Sequence, residues 1–359
     1  MALAARQAIA DAGFRKEDID GILVEAPRDE RGRAFPATFA EYLQIFPNFA
    51  SSVGLAGASA AGMVSHAAAV IDAGLCHNVL LVTGGIADSG PASEIRAVRP
   101  ERIRAEFEDP YGPMGVNSSY AMIACRHAHE FGTTDKQRAR IAVDQRTNAC
   151  ANPDALFFGI PITVEDVLSS RIVVDPLHLL EIVRPCSGAA ALVMTSAQRA
   201  RDLPHPPVYL LGAGGCTTHG SITYAPSLTT SPIKVAADKA FDMAGVTPAD
   251  IHVVSVYDCY TITVLITLED AGFCKKGEGG PFVEETDLTY KGKLPVNTHG
   301  GQLSFGQADL AGGMSHVTEA ALQLMGRAGE RQVTDCQLAY VNGNGGIMAD
   351  AVSLILGRQ

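Results

Sequence analysis

The chain has 359 residues, 47% of them hydrophobic, and a formal charge of −11. This is enough apolar material for two domains or one large α/β assembly, and an acidic chain without a Lys/Arg run argues against nucleic acid as a partner. The eight cysteines, at 76, 125, 150, 186, 216, 259, 274 and 336, form no CxxC motif and no Cys/His pair at zinc-ligand spacing. No metal site is therefore expected, and the thiols read as reduced and cytoplasmic.

The opening stretch, "MALAARQAIADAGF", predicts an alanine-rich amphipathic helix carrying Arg6 and Asp11, without the apolar core of a signal peptide. No apolar run reaches 18 residues, so no membrane span is expected. The same helix opens an internal repeat. "AARQAIADAGFRKEDIDGILV" (Ala4 to Val24) returns as "AADKAFDMAGVTPADIHVVSV" (Ala236 to Val256), at a constant offset of 232. Each copy reads as a helix stopped by a glycine, Gly13 or Gly245, then a turn, then a β-rich run.

Next comes "VGLAGASAAGMVSHAAAVIDAG", Val53 to Gly74, a glycine-alanine loop feeding a helix whose entrance at Gly57, Ala58, Ser59 and Ala60 is nearly bare. Its helix from Ala60 to Ala73 and the strand "NVLLVTGG" (Asn78 to Gly85) echo a helix from Ala311 to Leu324 followed by "CQLAYVNGNGG" (Cys336 to Gly346). Two similar halves, each with helices alternating around a mainly parallel sheet, are expected. The second half has a strand before its helix, "PPVYLLGAGG" (Pro206 to Gly215), where the first half starts at the helix. Either the start is truncated or misassigned, or that half is genuinely shortened. Between Ala87 and Pro185 an insertion without counterpart offers helices in "FEDPYGPMGVNSSYAMIACRHAHEFG", "DKQRARIAVDQRTNAC" and "VEDV". It would form a lid over the strand-to-helix junctions, where α/β folds place ligands.

Together with "YDCYTITVLITLEDAGF", "VNTHGGQLSFGQADLAGG" and "NGNGG", this repeat resembles the thiolase superfamily. The likeness is greatest to its lipid-transfer-protein branch, the sterol-carrier-type thiolases and thiolase-like steroid side-chain aldolases. The resemblance implies an α/β thiolase fold: two repeated βαβαβαββ halves in a layered α/β/α/β/α core, with a helical loop domain inserted in the first half. It divides the chain into residues 1–86 plus 187–204, a loop domain over 87–186, and a second half over 205–359. It also implies coenzyme A thioester chemistry, with CoA as part of the substrate and no covalently bound cofactor.

Four loops build the site in that family. The first carries a nucleophilic cysteine at a helix N-terminus, which lowers its pKa. Here the matching position, seventeen residues before Gly74, is Gly57. Ser59 matches a small polar residue two places on and reads as a helix N-cap sooner than a nucleophile. The second loop is "YDCY": Tyr257 matches a tyrosine assigned to acid/base work in the steroid aldolases, and Cys259 a proton-transferring thiol. A phenol with a pKa near 10 needs help to act as a base near neutrality. Asp258 is expected to bond backbone. In the third loop Gln307 stands at the family's histidine and the aldolases' second tyrosine; its amide can donate but cannot exchange protons. His299 is a titratable neighbour able to replace the lost histidine. In the fourth loop Val341 or Asn342 falls on a second family cysteine, while Gly343, Gly345 and Gly346 allow a nest of backbone N–H groups for an oxyanion.

A thiolase scaffold stripped of its thiol suits carbon–carbon chemistry without a covalent acyl-enzyme. The first expectation is retro-aldol cleavage of a β-hydroxyacyl-CoA, with Tyr257 as base, His299 or Cys259 assisting, and Gln307 with the glycine amides at the enolate oxygen, where Gly57 leaves room. An acyltransferase or thiolytic activity is the alternative, and a non-catalytic acyl-CoA-binding subunit a third. The resemblance also implies a homodimer and a small zinc-ribbon/OB-fold acyl-CoA-binding partner protein.

Overall fold

The computed structural model describes residues 1–26, 34–87, 106–112 and 115–358. In the first half the elements run α1 (Ala2–Asp11), β1 (Gly21–Val24), α2 (Phe35–Leu43), β2 (Phe49–Ser52), α3 (Ser59–Asp72) and β3 (Asn78–Gly85). The insertion contributes α4 (Val116–Phe131), α5 (Asp135–Cys150), α6 (Val164–Ser169) and a small hairpin, β4 (Ile172–Val174) with β5 (Leu177–His178); β6 (Gly188–Thr195) and α7 (Ala197–Ala200) follow. The second half runs β7 (Tyr209–Thr217), α8 (Ile233–Ala244), β8 (Val253–Val256), α9 (Thr261–Asp270), α10 (Gly279–Glu285), α11 (Gly301–Ser304), α12 (Gly312–Met325), β9 (Leu338–Gly345) and β10 (Asp350–Gly357).

Two four-stranded sheets form, ordered β2-β1-β3-β6 and β7-β10-β9-β8. In each, one strand runs against its parallel neighbours: β6 against β3, and β10 against β9. The repeat holds to the residue, since β1 and β8 occupy positions 232 apart and Gly13 and Gly245 both adopt positive φ. The sheets are apolar on both faces. Leu23, Val79 and Leu81 of the first sheet and Val341, Val352 and Leu354 of the second enclose one cluster with Met63, Val64, Met314 and Leu324, so α3 and α12 lie between the sheets. Ile22, Val24, Leu80 and Val82 face the other way, onto α1 and α2. Val254, Val256 and Tyr340 face α8 and α9, where α4 also packs through Tyr120 and Ile123. This is the five-layered α/β/α/β/α core expected of a thiolase fold.

β10 lies between β9 and β7 and is buried almost throughout, whereas β6 forms the rim of its sheet among the described residues and is only half-buried. Within the insertion, residues 88–105 lie outside the described residues. The helix expected from Phe107 begins only at Val116; a short 3₁₀ turn over Asp109–Tyr111 and left-handed Gly112 precede it, because Pro110 and the glycines resist α-helical propagation. α5 and α6 start at capping boxes, Thr134 with Gln137 and Thr163 with Asp166.

Candidate active site

The loop entering α3, the C-terminal end of β8, and residues 307 and 344 converge on one point between the halves. Gly57 is buried, and a Cβ built there would fall within 2.6 Å of Tyr257 Cε2 and closer still to its Cζ and to the Asn344 carbonyl oxygen. The expected vacancy beside Gly57 is therefore filled: the phenol ring of Tyr257 occupies the volume a side chain at 57 would need. Tyr257 is 6% exposed. Its hydroxyl accepts a hydrogen bond from Nε2 of Gln307 at 3.0 Å. Gln307 thus serves the tyrosine, and one of its amide hydrogens is engaged there and not at a substrate oxygen.

Burial pushes the Tyr257 phenol well above its ordinary value, and the nearby Cys259, Glu25 and Asp258 add to this while Gln307 opposes it. The fold consequently holds a protonated phenol, a donor, where a standing base was expected. Cys259 is 7% exposed, and burial pushes its thiol up to about 12, so it too stays protonated. It neighbours Tyr120, whose hydroxyl donates to the Gly346 carbonyl at 3.2 Å and whose ring stacks on Tyr260 at 4.3 Å. Tyr260 in turn donates to Asn117 at the start of α4, which brings the inserted helix onto the loop after β8.

His299 lies elsewhere than its expected role requires. It is 2% exposed, its Nε2 pairs with Ser315 Oγ at 3.1 Å, and its ring meets Phe305 and His316. Burial, with His316 and Arg331 nearby, drives its pKa well below the ordinary histidine value, so the imidazole is neutral at pH 7. Ser59 does not cap its own helix. Ala58 is the N-cap, and the fully buried Ser59 hydroxyl accepts the N–H of Leu55 at 2.8 Å, bracing the loop that carries Gly57.

The expected glycine nest is not formed. Gly343 and Gly345 lie inside β9, opposite Val352 and Asp350 of β10, and only Gly346 adopts positive φ. They are glycines because the 55–58 loop crosses the strand: a Cβ at 343 would sit 2.8 Å from Ala58 Cα, and one at 345 would collide with the Leu55 carbonyl. Asn342 is likewise interior to β9; its side chain donates to Val352 O (3.3 Å) and Ser353 Oγ (3.2 Å), and its carbonyl accepts the Tyr257 N–H at 3.0 Å. The asparagine at the site is Asn344, whose Nδ2 donates to the Tyr257 carbonyl at 3.3 Å.

Asp258 bonds backbone as expected, accepting the N–H groups of Gln302 and Leu303, and it also pairs with His316, which sequence reasoning missed. Also missed was Glu25, 5% exposed at the end of β1, the repeat's counterpart of Tyr257 at the offset of 232. Only that offset could have flagged it. Among the described residues no group of three or more His, Cys, Asp or Glu side chains is placed to hold a metal ion.

Halves related by a repeat, two helices between the sheets and a site at the α3 entrance define a thiolase-type scaffold without its cysteine. Comparison with known proteins agrees. A family model described as thiolase C-terminal domain-like matches residues 214–358. A steroid side-chain-cleaving aldolase of Thermomonospora curvata is 34% identical over 337 residues, covering 89% of this chain and 83% of the relative. A 17-hydroxy-3-oxo-4-pregnene-20-carboxyl-CoA lyase of Mycobacterium tuberculosis is 34% identical over 330 residues, covering 89% and 84%. An acetyl-CoA acetyltransferase of Methanothermobacter thermautotrophicus is 32% identical over 357 residues, covering 98% and 92%. Among solved structures, an Ltp2-ChsH2(DUF35) aldolase superposes with a TM-score of 0.86 at 33% identity, covering 99% of this chain and 91% of that one. The chain belongs to the thiolase superfamily, on the side of its steroid side-chain-cleaving aldolases.

Proposed function

We propose that the protein cleaves a β-hydroxyacyl-CoA by a retro-aldol reaction, with Tyr257 carrying the proton. The observation that supports it above others is the phenol ring seated in the space of the family's cysteine, beside Gly57, with Gln307 donating to its oxygen. No carbon passes through a covalent acyl-enzyme in this reading, because position 57 has no side chain.

The proton balance follows from the phenol's protonated resting state. As the Cα–Cβ bond breaks, Tyr257 gives its proton to Cα of the thioester enolate. The β-hydroxyl proton passes to the phenol oxygen as the carbonyl forms, which restores the tyrosine. The Gln307 amide stabilises the phenol oxygen while it carries negative charge. Glu25 and Asp258 oppose that charge and so favour prompt return of the proton. Cys259 is buried against Tyr120, and His299 lies off the tyrosine, against Ser315 and His316, so neither takes a proton-transfer role.

The substrate class comes from the relatives' names: a CoA thioester of a steroid side chain with a β-hydroxyl. A homodimer, a zinc-ribbon/OB-fold partner protein, and a cytoplasmic setting for eight free cysteines belong to the same proposal. The partner is supported by the two-protein aldolase among the structural neighbours.

The test is incubation with 17-hydroxy-3-oxo-4-pregnene-20-carboxyl-CoA, alone and with a DUF35-type partner. Release of a steroid ketone and a short acyl-CoA in equal amounts is expected. Acyl products that appear only with added CoA would make the protein an acyltransferase, and binding without turnover would make it a carrier subunit. Tyr257→Phe should lower kcat by about 10²- to 10⁴-fold, the range of a lost acid/base group; unaltered cleavage would remove Tyr257 from the chemistry.

A further inference from the structure

Directly behind Tyr257 lies a buried acid–base pair that the proton path does not use. Asp258 is fully buried; Oδ1 accepts the N–H of Gln302 at 2.8 Å and Oδ2 that of Leu303 at 3.2 Å, which ties the residue after Tyr257 to the start of α11. Oδ1 also lies 3.1 Å from Nε2 of His316, on α12. The other nitrogen of that imidazole is 3.3 Å from Ser255 Oγ on β8. The ring centre of His316 stands 6.1 Å from that of Tyr257, tilted by 51°.

The hydrogen-bond pattern fixes where the histidine's proton sits. Asp258 accepts from Nε2 only if that nitrogen carries hydrogen. Gln302 Nε2 lies 3.3 Å from the same nitrogen, and Gln302 Oε1 is buried without a partner. With the amide turned over, Oε1 accepts from the shared N–H and the conflict disappears. The groups facing His316 are thus Asp258 and Tyr257 from the end of β8, Ser255 from β8, Gln302 from α11 and His299 from the preceding loop. Glu319, a turn farther along α12, is committed to Arg331 and Thr298.

We propose that Asp258 and His316 are positioning residues for Tyr257: locked to each other and to α11, they hold the phenol between Gly57 and Gln307 without touching the substrate. This rests on Tyr257 being the proton carrier. Displacement of a reacting group by about 1 Å is enough to cost much of a rate. The backbone at 257 is held by the Asp258 carboxylate beside it, by Asn342, whose carbonyl accepts its N–H at 3.0 Å, and by Asn344 and Thr263, which donate to its carbonyl at 3.3 and 3.2 Å. The ring itself has the Gly57 backbone against it and His316 nearby.

A double-variant cycle read on kcat tests this, with the steroid thioester named above as substrate. His316→Gln keeps a donor at the Nε2 position for Asp258 but removes the ring beside the phenol. In the unaltered background it should lower kcat by about tenfold, the scale of coupling between contacting residues, with KM unchanged. In the Tyr257→Phe background it should cost nothing further, while its effect on melting temperature is the same in both. Equal loss of kcat in both backgrounds, or a change confined to KM, overturns the positioning role. Should His316→Gln not fold, Ser255→Ala undergoes the same cycle by the same criterion. Full activity of Tyr257→Phe alone is a different failure: it removes the proton carrier, and the positioning role with it.

Discussion

At position 57 the absence of a Cβ and the presence of the tyrosine ring are one fact, because the two groups claim the same space. Gly57→Cys, which restores the family's residue, should not restore acyl transfer. It should overpack the site and destabilise the protein by about 1–3 kcal/mol, seen as a lower melting temperature. Adding Tyr257→Ala should recover part of that loss, since the two changes are coupled through one volume. Ser59 and the strand glycines show why this was hard to read in advance. A serine at a helix entrance looks like a cap until the chain is seen to place Leu55 within reach of its hydroxyl. Glycines in "NGNGG" look like an oxyanion nest until another loop is found lying across them. Gly57 and Tyr257, by contrast, were singled out by spacing and by the family resemblance, but nothing in the sequence brought them into contact.

Helices and strands themselves were largely legible, because their apolar period survives in both copies of the repeat and because capping boxes mark α5 and α6. What stayed hidden was the polar traffic between elements. His316 is an ordinary helix residue in sequence, and its partner Asp258 belongs to a distant loop. The same holds for Arg331, whose guanidinium donates to both oxygens of the 2%-exposed Glu319 on α12, which also receives the Thr298 hydroxyl at 2.6 Å. Arg331→Met should cost about 3–5 kcal/mol in denaturant unfolding by leaving that carboxylate unpaired, and pairing it with Glu319→Gln should cost less. On α5, burial pushes the Asp144 carboxyl up to about 6 against the pull of Arg140. The folded value lies above the unfolded one near 3.9. Stability from this group is therefore complete below about pH 4 and lost as the pH rises through 6. Asp144→Asn should flatten that window and raise stability at pH 8 by roughly 1–3 kcal/mol in pH-dependent melting curves.

Across the whole molecule the two halves share one plan but not one degree of protection. β10 has a strand on each side, and β6 has β3 on one side only among the described residues. Hydrogen exchange should show the difference: amides on the outer side of β6 should exchange at least about tenfold faster than those of β10. Equal protection would mean that β6 is covered in solution.

The shared volume of Gly57 and Tyr257 also constrains how such a protein can change. A cysteine regained alone meets the ring; a tyrosine lost alone leaves a cavity with no thiol beside it. On the proposed chemistry either single step is disabled, so the covalent and the non-covalent chemistries stand on opposite banks, and only a simultaneous exchange crosses between them. For the same reason, a thiol-seeking reagent aimed at the family's cysteine finds no thiol at position 57.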